Sequence, residues 1–281
     1  LVFVPGIGRA ENGATRWVSL GISFQPSEVA KLGVILSFAA MITRFGENME
    51  TFRWGIAPFA GILAVIVVLL RLEPHNSAIV IIACTAGAML FLGGVKYRWF
   101  ILGGCAMLLG LILILGAGGY EASRITAWQD PFSDPTDDGY QIIQSLYAIG
   151  SGGLFGLGFG QGRQKYLYLP EEHNDYIFSI ACEELGLTGA AAILLLYALL
   201  ILRGYWISMH IRDRFLSLTV AGITTLTALQ VFFNIGVVTN LLPSTGISLP
   251  FFSYGGTALL IQLGEMGIIL GASRQCSAGF L

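Results

Sequence analysis

FLSLTVAGITTLTALQVFFNIGVVTNLLPSTGISLPFFSYGGTALLIQLG, residues 215–264, contains no Asp, Glu, Lys or Arg. A transmembrane helix takes about 20 mostly apolar residues. The stretch therefore reads as two spans, 215–239 and 257–273, joined by a loop over 240–256. Working outward, five more continuous apolar runs occur at 29–45, 56–70, 78–95, 100–119 and 177–202. The run at 56–70 is short and reads on past Arg71 or snorkels that side chain to the interface. The runs are unbroken rather than alternating, which argues against barrel strands. The expected fold class is all-α: a polytopic membrane protein with about seven transmembrane helices in this chain.

Composition agrees. Of 281 residues, 55% are hydrophobic and 11% are charged, whereas a soluble domain carries about a quarter charged residues. The chain has too little polar surface to coat a globule in water. That excludes a soluble enzyme, a secreted disulfide scaffold and a disordered chain. A net charge of −2 gives no footprint for nucleic acid. Cys84, Cys105, Cys182 and Cys276 form no CxxC and lie in or beside apolar runs, so they read as small core hydrophobes.

Positive charge orients the spans. Arg44, Arg53, Lys96, Arg98, Arg203, Arg212, Arg214 and Arg274 fall on one side, and the short loops of the other hold only Arg71. The first side is expected to be cytoplasmic. The arm 1–28, the turn 71–77, the long loop 120–176 and the loop 240–256 then face outside. The chain does not begin with Met and shows no signal peptide. It starts outside and ends inside, so a cytoplasmic native N-terminus requires an odd number of spans upstream.

The long loop concentrates the chemistry. Residues 120–184 hold ten of the seventeen acids against three bases, and a structureless loop this long is usually functional. Tyr140 to Ile149 reads as a short amphipathic helix. The glycines after it let the backbone bend back as a re-entrant segment, tolerated at the membrane only if protein or a cavity covers it. A nucleotide-binding reading of those glycines fails: no strand precedes them and no GK[ST] follows. Next come Arg163-Gln164-Lys165-Tyr166 and Leu169-Pro170-Glu171-Glu172-His173-Asn174-Asp175-Tyr176-Ile177-Phe178. Cations at this boundary suit a phosphate group, and a half-buried carboxylate suits a general base. The alternative is a solvated charged rim with Asn174 or Asp175 capping a helix.

Ionisable residues within spans are functional candidates. Glu28 and Lys31 share a helical face and can pair, as a structural ion pair or as part of a site. Glu183, Glu184 and Glu265 lie within spans, the first two near a helix N-terminus that favours negative charge. Glu73-Pro74-His75-Asn76 reads as a tight outside turn with His75 a polar loop residue, and no His/Cys/Asp spacing suggests zinc.

Several blocks carry a resemblance: Gly13-Ala14-Thr15-Arg16-Trp17; Gln25-Pro26-Ser27-Glu28 with Lys31; Gly139-Tyr140-Gln141 with Gln144-Ser145; Ala148-Ile149-Gly150-Ser151-Gly152-Gly153; Leu169-Pro170-Glu171 with His173 and Asp175-Tyr176-Ile177-Phe178; Thr245-Gly246; Leu249-Pro250-Phe251; and Ser253-Tyr254-Gly255-Gly256. In this order they resemble the SEDS family, named for shape, elongation, division and sporulation. The Arg163-Gln164-Lys165-Tyr166 wording, with Asn174 before Asp175, resembles the division and sporulation branch more than the elongation branch. Two departures stand out. His75-Asn76-Ser77 replaces a turn that usually carries an acid and a Gly, and Gly162 stands where Ser is expected.

The resemblance implies a ten-helix fold of which these spans are the last seven. It implies a peptidoglycan glycosyltransferase that polymerises lipid II, the 4-hydroxyl of an acceptor N-acetylglucosamine attacking C1 of a donor N-acetylmuramic acid with inversion. Asp175 is then the catalytic base. Glu28, Lys31, Arg163, Lys165 and His173 are substrate-binding candidates. On charge alone, and not from the resemblance, Arg163 and Lys165, or a divalent cation (Mg or Mn), are expected to neutralise the diphosphate. No protein metal site is expected. Implied partners are lipid II, the bilayer and a class B penicillin-binding protein with transpeptidase activity, with the active site on the extracytoplasmic side of a bacterial plasma membrane. A lipid II flippase and a non-catalytic transpeptidase scaffold are the alternatives.

Overall fold

The computed structural model describes residues 2, 4, 8–11, 14–19, 23–104, 120–133, 135, 139–164 and 173–277. A three-stranded antiparallel meander opens it: β1 (Gly8–Glu11), β2 (Ala14–Ser19) and β3 (Ser23–Phe24). It sits in an arm for which the sequence suggested no regular structure. Strands of two to six residues are too short for an alternation to register against the apolar runs nearby. The register sets Arg9 opposite Trp17 and Val18 opposite Phe24.

Helices dominate the rest. They are α1 (Pro26–Phe45), α2 (Ala57–Leu72), α3 (Asn76–Leu92), α4 (Tyr120–Gln129), α5 (Tyr140–Ser151), α6 (Ile177–His210), α7 (Arg214–Val238) and α8 (Gly256–Ser277). Among the described residues five helical segments are long and apolar enough to cross a membrane: Pro26–Glu50, Phe52–Leu72, Ile177–His210, Arg214–Val238 and Gly256–Cys276. Asn76–Leu92 is shorter. These match six of the seven expected spans. In the seventh, 100–119, residues 97–104 are helical, and 105–119 lie outside the described residues. The protein is thus an all-helical membrane protein with one small sheet.

The chain packs as two units. One comprises residues 1–100, 201–229 and 255–281, the other 101–200 and 230–254. In the first, α1 packs on α3 and α8, and α2 on α3. Phe38 and Phe59, both fully buried, meet edge to face at 4.8 Å. Gly222 of α7 lies so close to Ile35 and Met89 that a methyl there would sit 2.7 Å from the Ile35 side chain. Small residues at such crossings let membrane helices approach closely. The Thr219, Thr224, Thr225 and Thr227 hydroxyls each donate to the carbonyl four residues back. This internal satisfaction lets a polar-rich helix be buried without charge partners. Two thirds of α7 is buried, against a third or less of the other four spanning segments.

In the second unit the core gathers Tyr176, Phe178, Tyr197, Val237, Val238 and Leu249. Helix α5 is the amphipathic element expected at Tyr140 to Ile149. It buries Ile142, Ile143, Ser145 and Ala148 and turns Tyr147 outward. Ser145 donates to the Val238 carbonyl at 2.7 Å and meets the Ser179 hydroxyl at 2.7 Å, so three helices share one buried polar knot.

Helix α6 is longer than the 177–202 expected from apolarity. Its 34 residues would span about 51 Å if straight, well beyond the ~30 Å of a bilayer core. It is broken at Gly186 (φ 67°, ψ −168°). The Glu183 and Glu184 carbonyls, which would accept from residues 187 and 188 in an unbroken helix, instead accept from Leu157 and Gly158. The Leu187 and Thr188 amides donate to the Gly153 and Leu154 carbonyls. The glycine-rich segment after α5 thus repairs the break with four backbone hydrogen bonds. Contact this close requires glycine on both sides: a methyl on Gly156 would lie 2.1 Å from the Glu184 carbonyl oxygen, and one on Gly186 would lie 2.3 Å from the Gly156 nitrogen.

Candidate active site

The acidic pair at the α6 break holds the loop that carries Arg163. The Glu183 carboxylate is 1% exposed and accepts from the backbone amides of Arg163 (2.9 Å) and Gln164 (3.2 Å). Glu184 accepts from the amides of Gly160 (3.0 Å) and Gly162 (3.3 Å). Backbone amides donating to a carboxylate make charge-assisted hydrogen bonds, stronger than those between neutral groups. Gly162, noted as a departure from the family pattern, lies 2.9 Å from Glu183 Oε2 at its virtual methyl, so any side chain there must displace the acid. With its backbone fixed, Arg163 extends an exposed side chain. Lys165, and with it Glu171 and Glu172, lies outside the described residues.

Asp175 sits two residues before α6 and is half-buried, and His173 is exposed. Three successive carbonyls here are each held by another element. His173 O accepts from the Tyr254 amide at 2.8 Å, Asn174 O from the Ser253 hydroxyl at 2.7 Å, and Asp175 O from Asn234 Nδ2 at 2.7 Å. Next to Asp175, burial pushes the Tyr176 phenol up to about 12. The Asp175 charge raises it further, while Arg124 works in the opposite direction. Arg124 therefore lies within electrostatic reach of the Tyr176 phenol. It is anchored on α4 by a 3.1 Å bond to the Ser244 carbonyl. In the sequence Arg124 is one of three bases in a long loop, and Asn234 lies in a charge-free apolar run. Both act across more than fifty residues of chain, beyond any local spacing rule.

The other candidates lie in the first unit. Glu28 and Lys31 pair at 2.7 Å with both side chains at most 10% exposed, as their spacing predicted. Glu265 and Gln262 are buried on α8. The turn after α2 holds His75 as a polar loop residue, as expected, but the turn is covered: His75 is buried, and so is Glu73. Arg16 of β2 reaches over this turn and donates to the Pro74 carbonyl at 2.5 Å. Burial, then the charges of Arg16 and Lys31, lowers the His75 imidazole to about 4, and burial raises the Glu73 carboxyl. Among the described residues no three His, Cys, Asp or Glu side chains converge as a metal site.

Comparison with known proteins gives this arrangement a family. The FtsW/RodA/SpoVE family of cell cycle proteins matches residues 1–278. The chain belongs to that family. This is the SEDS family that the motifs resemble. The chain is 42% identical over 275 residues to stage V sporulation protein E of Bacillus subtilis (strain 168), covering 98% of this chain and 75% of that protein. It is 41% identical over 276 residues to the probable peptidoglycan glycosyltransferase FtsW of Geobacter sp. (strain M18), again covering 98% and 75%. Among solved structures, one of a peptidoglycan synthase complex that coordinates polymerization and crosslinking superposes with a TM-score of 0.81 at 29% identity, covering 96% of this chain and 76% of that one. The rod shape determining protein RodA of Thermus thermophilus matches with a TM-score of 0.66 at 29% identity, covering 96% and 72%.

Proposed function

We propose that the protein is a peptidoglycan glycosyltransferase that extends glycan strands from lipid II. Residues 1–281 form a single transmembrane domain in this reading, and the 120–176 loop carries the active site on the extracytoplasmic side. Family membership supports the reaction class. One structural observation supports its placement: Asp175 stands at the entrance of a broken membrane helix whose next turns hold the Arg163 loop.

In this reading Asp175 removes the proton from the acceptor 4-hydroxyl as that oxygen attacks C1 of the donor sugar. The C1–O bond to the diphosphate breaks with its electron pair, and the anomeric centre inverts. A diphosphate leaves as an anion, so it needs charge neutralisation rather than a proton. One carboxylate therefore suffices where a glycosidase uses two. Arg163 and Lys165 neutralise the leaving group, and a Mg or Mn ion bound to the diphosphate would supply charge of the same kind. His173 contacts substrate at the rim. Glu28 and Lys31, already paired, shape a lipid-facing cavity rather than do chemistry. The apolar residues exposed on the loop, Leu154, Phe155 and Phe159, suit a segment resting in the bilayer interface beside the polyprenyl chain. A class B penicillin-binding protein is the partner that would crosslink the product.

The test is polymerisation of lipid II by the full-length protein with its partner, wild type against Asp175→Asn. The variant is expected to be folded and to make no strands. Equal polymerisation by both would remove Asp175 from catalysis. Polymerisation by neither would favour a flippase built on Glu28, Lys31 and Glu265, or a scaffold.

A further inference from the structure

The loop 240–256 holds no acid or base, and the reaction above gives it no part. The hydrogen bonds around Asp175 do. A peptide unit is a rigid plane, so a hydrogen bond at its carbonyl oxygen restrains the rotation of the whole plane. Asn174 O lies in the plane that enters the Asp175 Cα, and Asp175 O lies in the plane that leaves it. Ser253 holds the first and Asn234 the second, each at 2.7 Å. With both planes restrained, φ and ψ of Asp175 are restrained, and so is the direction of its Cα–Cβ bond. The Tyr254 amide holds the plane before these. We propose that Asn234 and Ser253 are positioning residues that form a carbonyl clamp and aim the Asp175 carboxylate. The proposal rests on Asp175 being the base.

The clamp is itself built in. Asn234 is 1% exposed, and its Nδ2 also donates to the Ile247 carbonyl at 2.8 Å. Two carbonyl acceptors leave one orientation for the amide, with nitrogen facing both. The same atom therefore ties the 240–256 loop to the site. Ser253 Oγ accepts from the Leu249 amide at 2.7 Å while donating to Asn174, so its single hydrogen is directed. The turn that presents Ser253 passes through Phe251 at φ 65°, a left-handed conformation that a bulky residue adopts only when its surroundings impose it. Those surroundings are visible: Tyr197 donates to the Pro250 carbonyl, and Leu249 is 1% exposed in the core. Strain retained beside a reacting group is characteristic of a site that holds geometry.

Asn234→Asp keeps the shape but replaces the donor with an oxygen facing two carbonyl oxygens. Ser253→Ala removes one hydrogen bond, and Ser253→Thr keeps it. The full-length protein with its transpeptidase partner, assayed on lipid II in detergent, gives kcat, KM and melting temperature for each, with Asp175→Asn alongside. Misplacing a reacting group by about 1 Å can cost on the order of 100-fold. The expected kcat losses are about 100-fold for Asn234→Asp and roughly tenfold for Ser253→Ala, with KM within about twofold. Ser253→Thr should recover most of the lost turnover. A purely structural role would instead lower the folded fraction and leave kcat per folded molecule unchanged, and that result overturns the clamp. Wild-type kcat in Asn234→Asp and Ser253→Ala with a dead Asp175→Asn also overturns the clamp and leaves the base standing. An active Asp175→Asn overturns the base, and the clamp with it. If Asn234→Asp does not fold, the Ser253 pair decides: a loss that Thr does not recover counts against the proposal.

Discussion

Glu28 and Glu183 are both buried carboxylates on helices of membrane-spanning length, and the chain answers their charge in opposite ways. Glu28 is met by Lys31, three residues on and 2.7 Å away. Glu183 is met by two backbone amides from a segment about twenty residues upstream, at 2.9 and 3.2 Å. The first arrangement is a pair of opposite charges on one helical face. The second is a carboxylate used as a staple, with its charge spread over amides that would otherwise lack partners in an irregular loop. The first can be lost as a pair; the second cannot be lost without releasing the loop.

That contrast can be tested by mutation. Lys31→Met leaves Glu28 buried and uncompensated. The expected destabilisation is about 3–5 kcal/mol, read as a lower melting temperature in detergent. Glu28→Gln with Lys31→Met removes both charges and should restore most of it. A double variant no more stable than Lys31→Met would mean that the pair is not the relevant interaction. Glu183→Gln is expected to cost about 1–3 kcal/mol, because its amide nitrogen must face a backbone N–H. It should also lower turnover by loosening Arg163. Unchanged limited proteolysis of the 152–164 loop in this variant would show that the staple is dispensable.

The smallest effect belongs to a third buried group, His75, whose neighbours Arg16 and Lys31 are cations. Its imidazole is held at about 4, against about 6.5 in an unfolded chain. Between those values the unfolded chain binds a proton that the folded chain refuses. Stability therefore falls as pH drops below about 6.5 and goes on falling to about 4. From pH 7.5 to 6 the expected loss is just under ~1 kcal/mol. Glu73, whose carboxyl burial raises, acts in the opposite sense: its contribution is present at low pH and is lost as pH rises through its folded-state value. His75→Gln should flatten the melting temperature over pH 6–7.5. An identical slope in wild type and variant would assign the pH dependence elsewhere.

The spans were legible because a run of about 20 apolar residues fits a bilayer core and little else. Glu28–Lys31 was legible because three residues apart on a helix means adjacent. The acidic, glycine-rich loop was legible as a candidate site from its composition. What escaped has a common physical cause. The amides on Glu183, the Asn234 bond to Asp175 and the Arg16 bond to Pro74 join segments about twenty to sixty residues apart, and no local period encodes such a partner. The break at Gly186 was hidden for the same reason. Its apolar neighbours keep the helical pattern, and only the loop docked against it shows why the helix stops. His75 lies in the turn where the sequence put it, but its burial could not be read there, because nothing in the local pattern shows what covers a turn.

The break also divides α6 into a long rod and a stub of nine residues, 177–185, about 13 Å long at helical rise. Asp175 is attached at one end of the stub, and Glu183 and Glu184, with the Arg163 loop fastened to them, at the other. The proposed base and the proposed anion-binding cation are therefore mounted on opposite ends of one short rigid helix. That helix is itself fastened at both ends: the Asn234 and Ser253 bonds hold it beside Asp175, and the bonds from Leu157 and Gly158 hold it beside Glu183 and Glu184. The spacing of the two groups is thus set by a ruler of fixed length rather than by the loop that carries them.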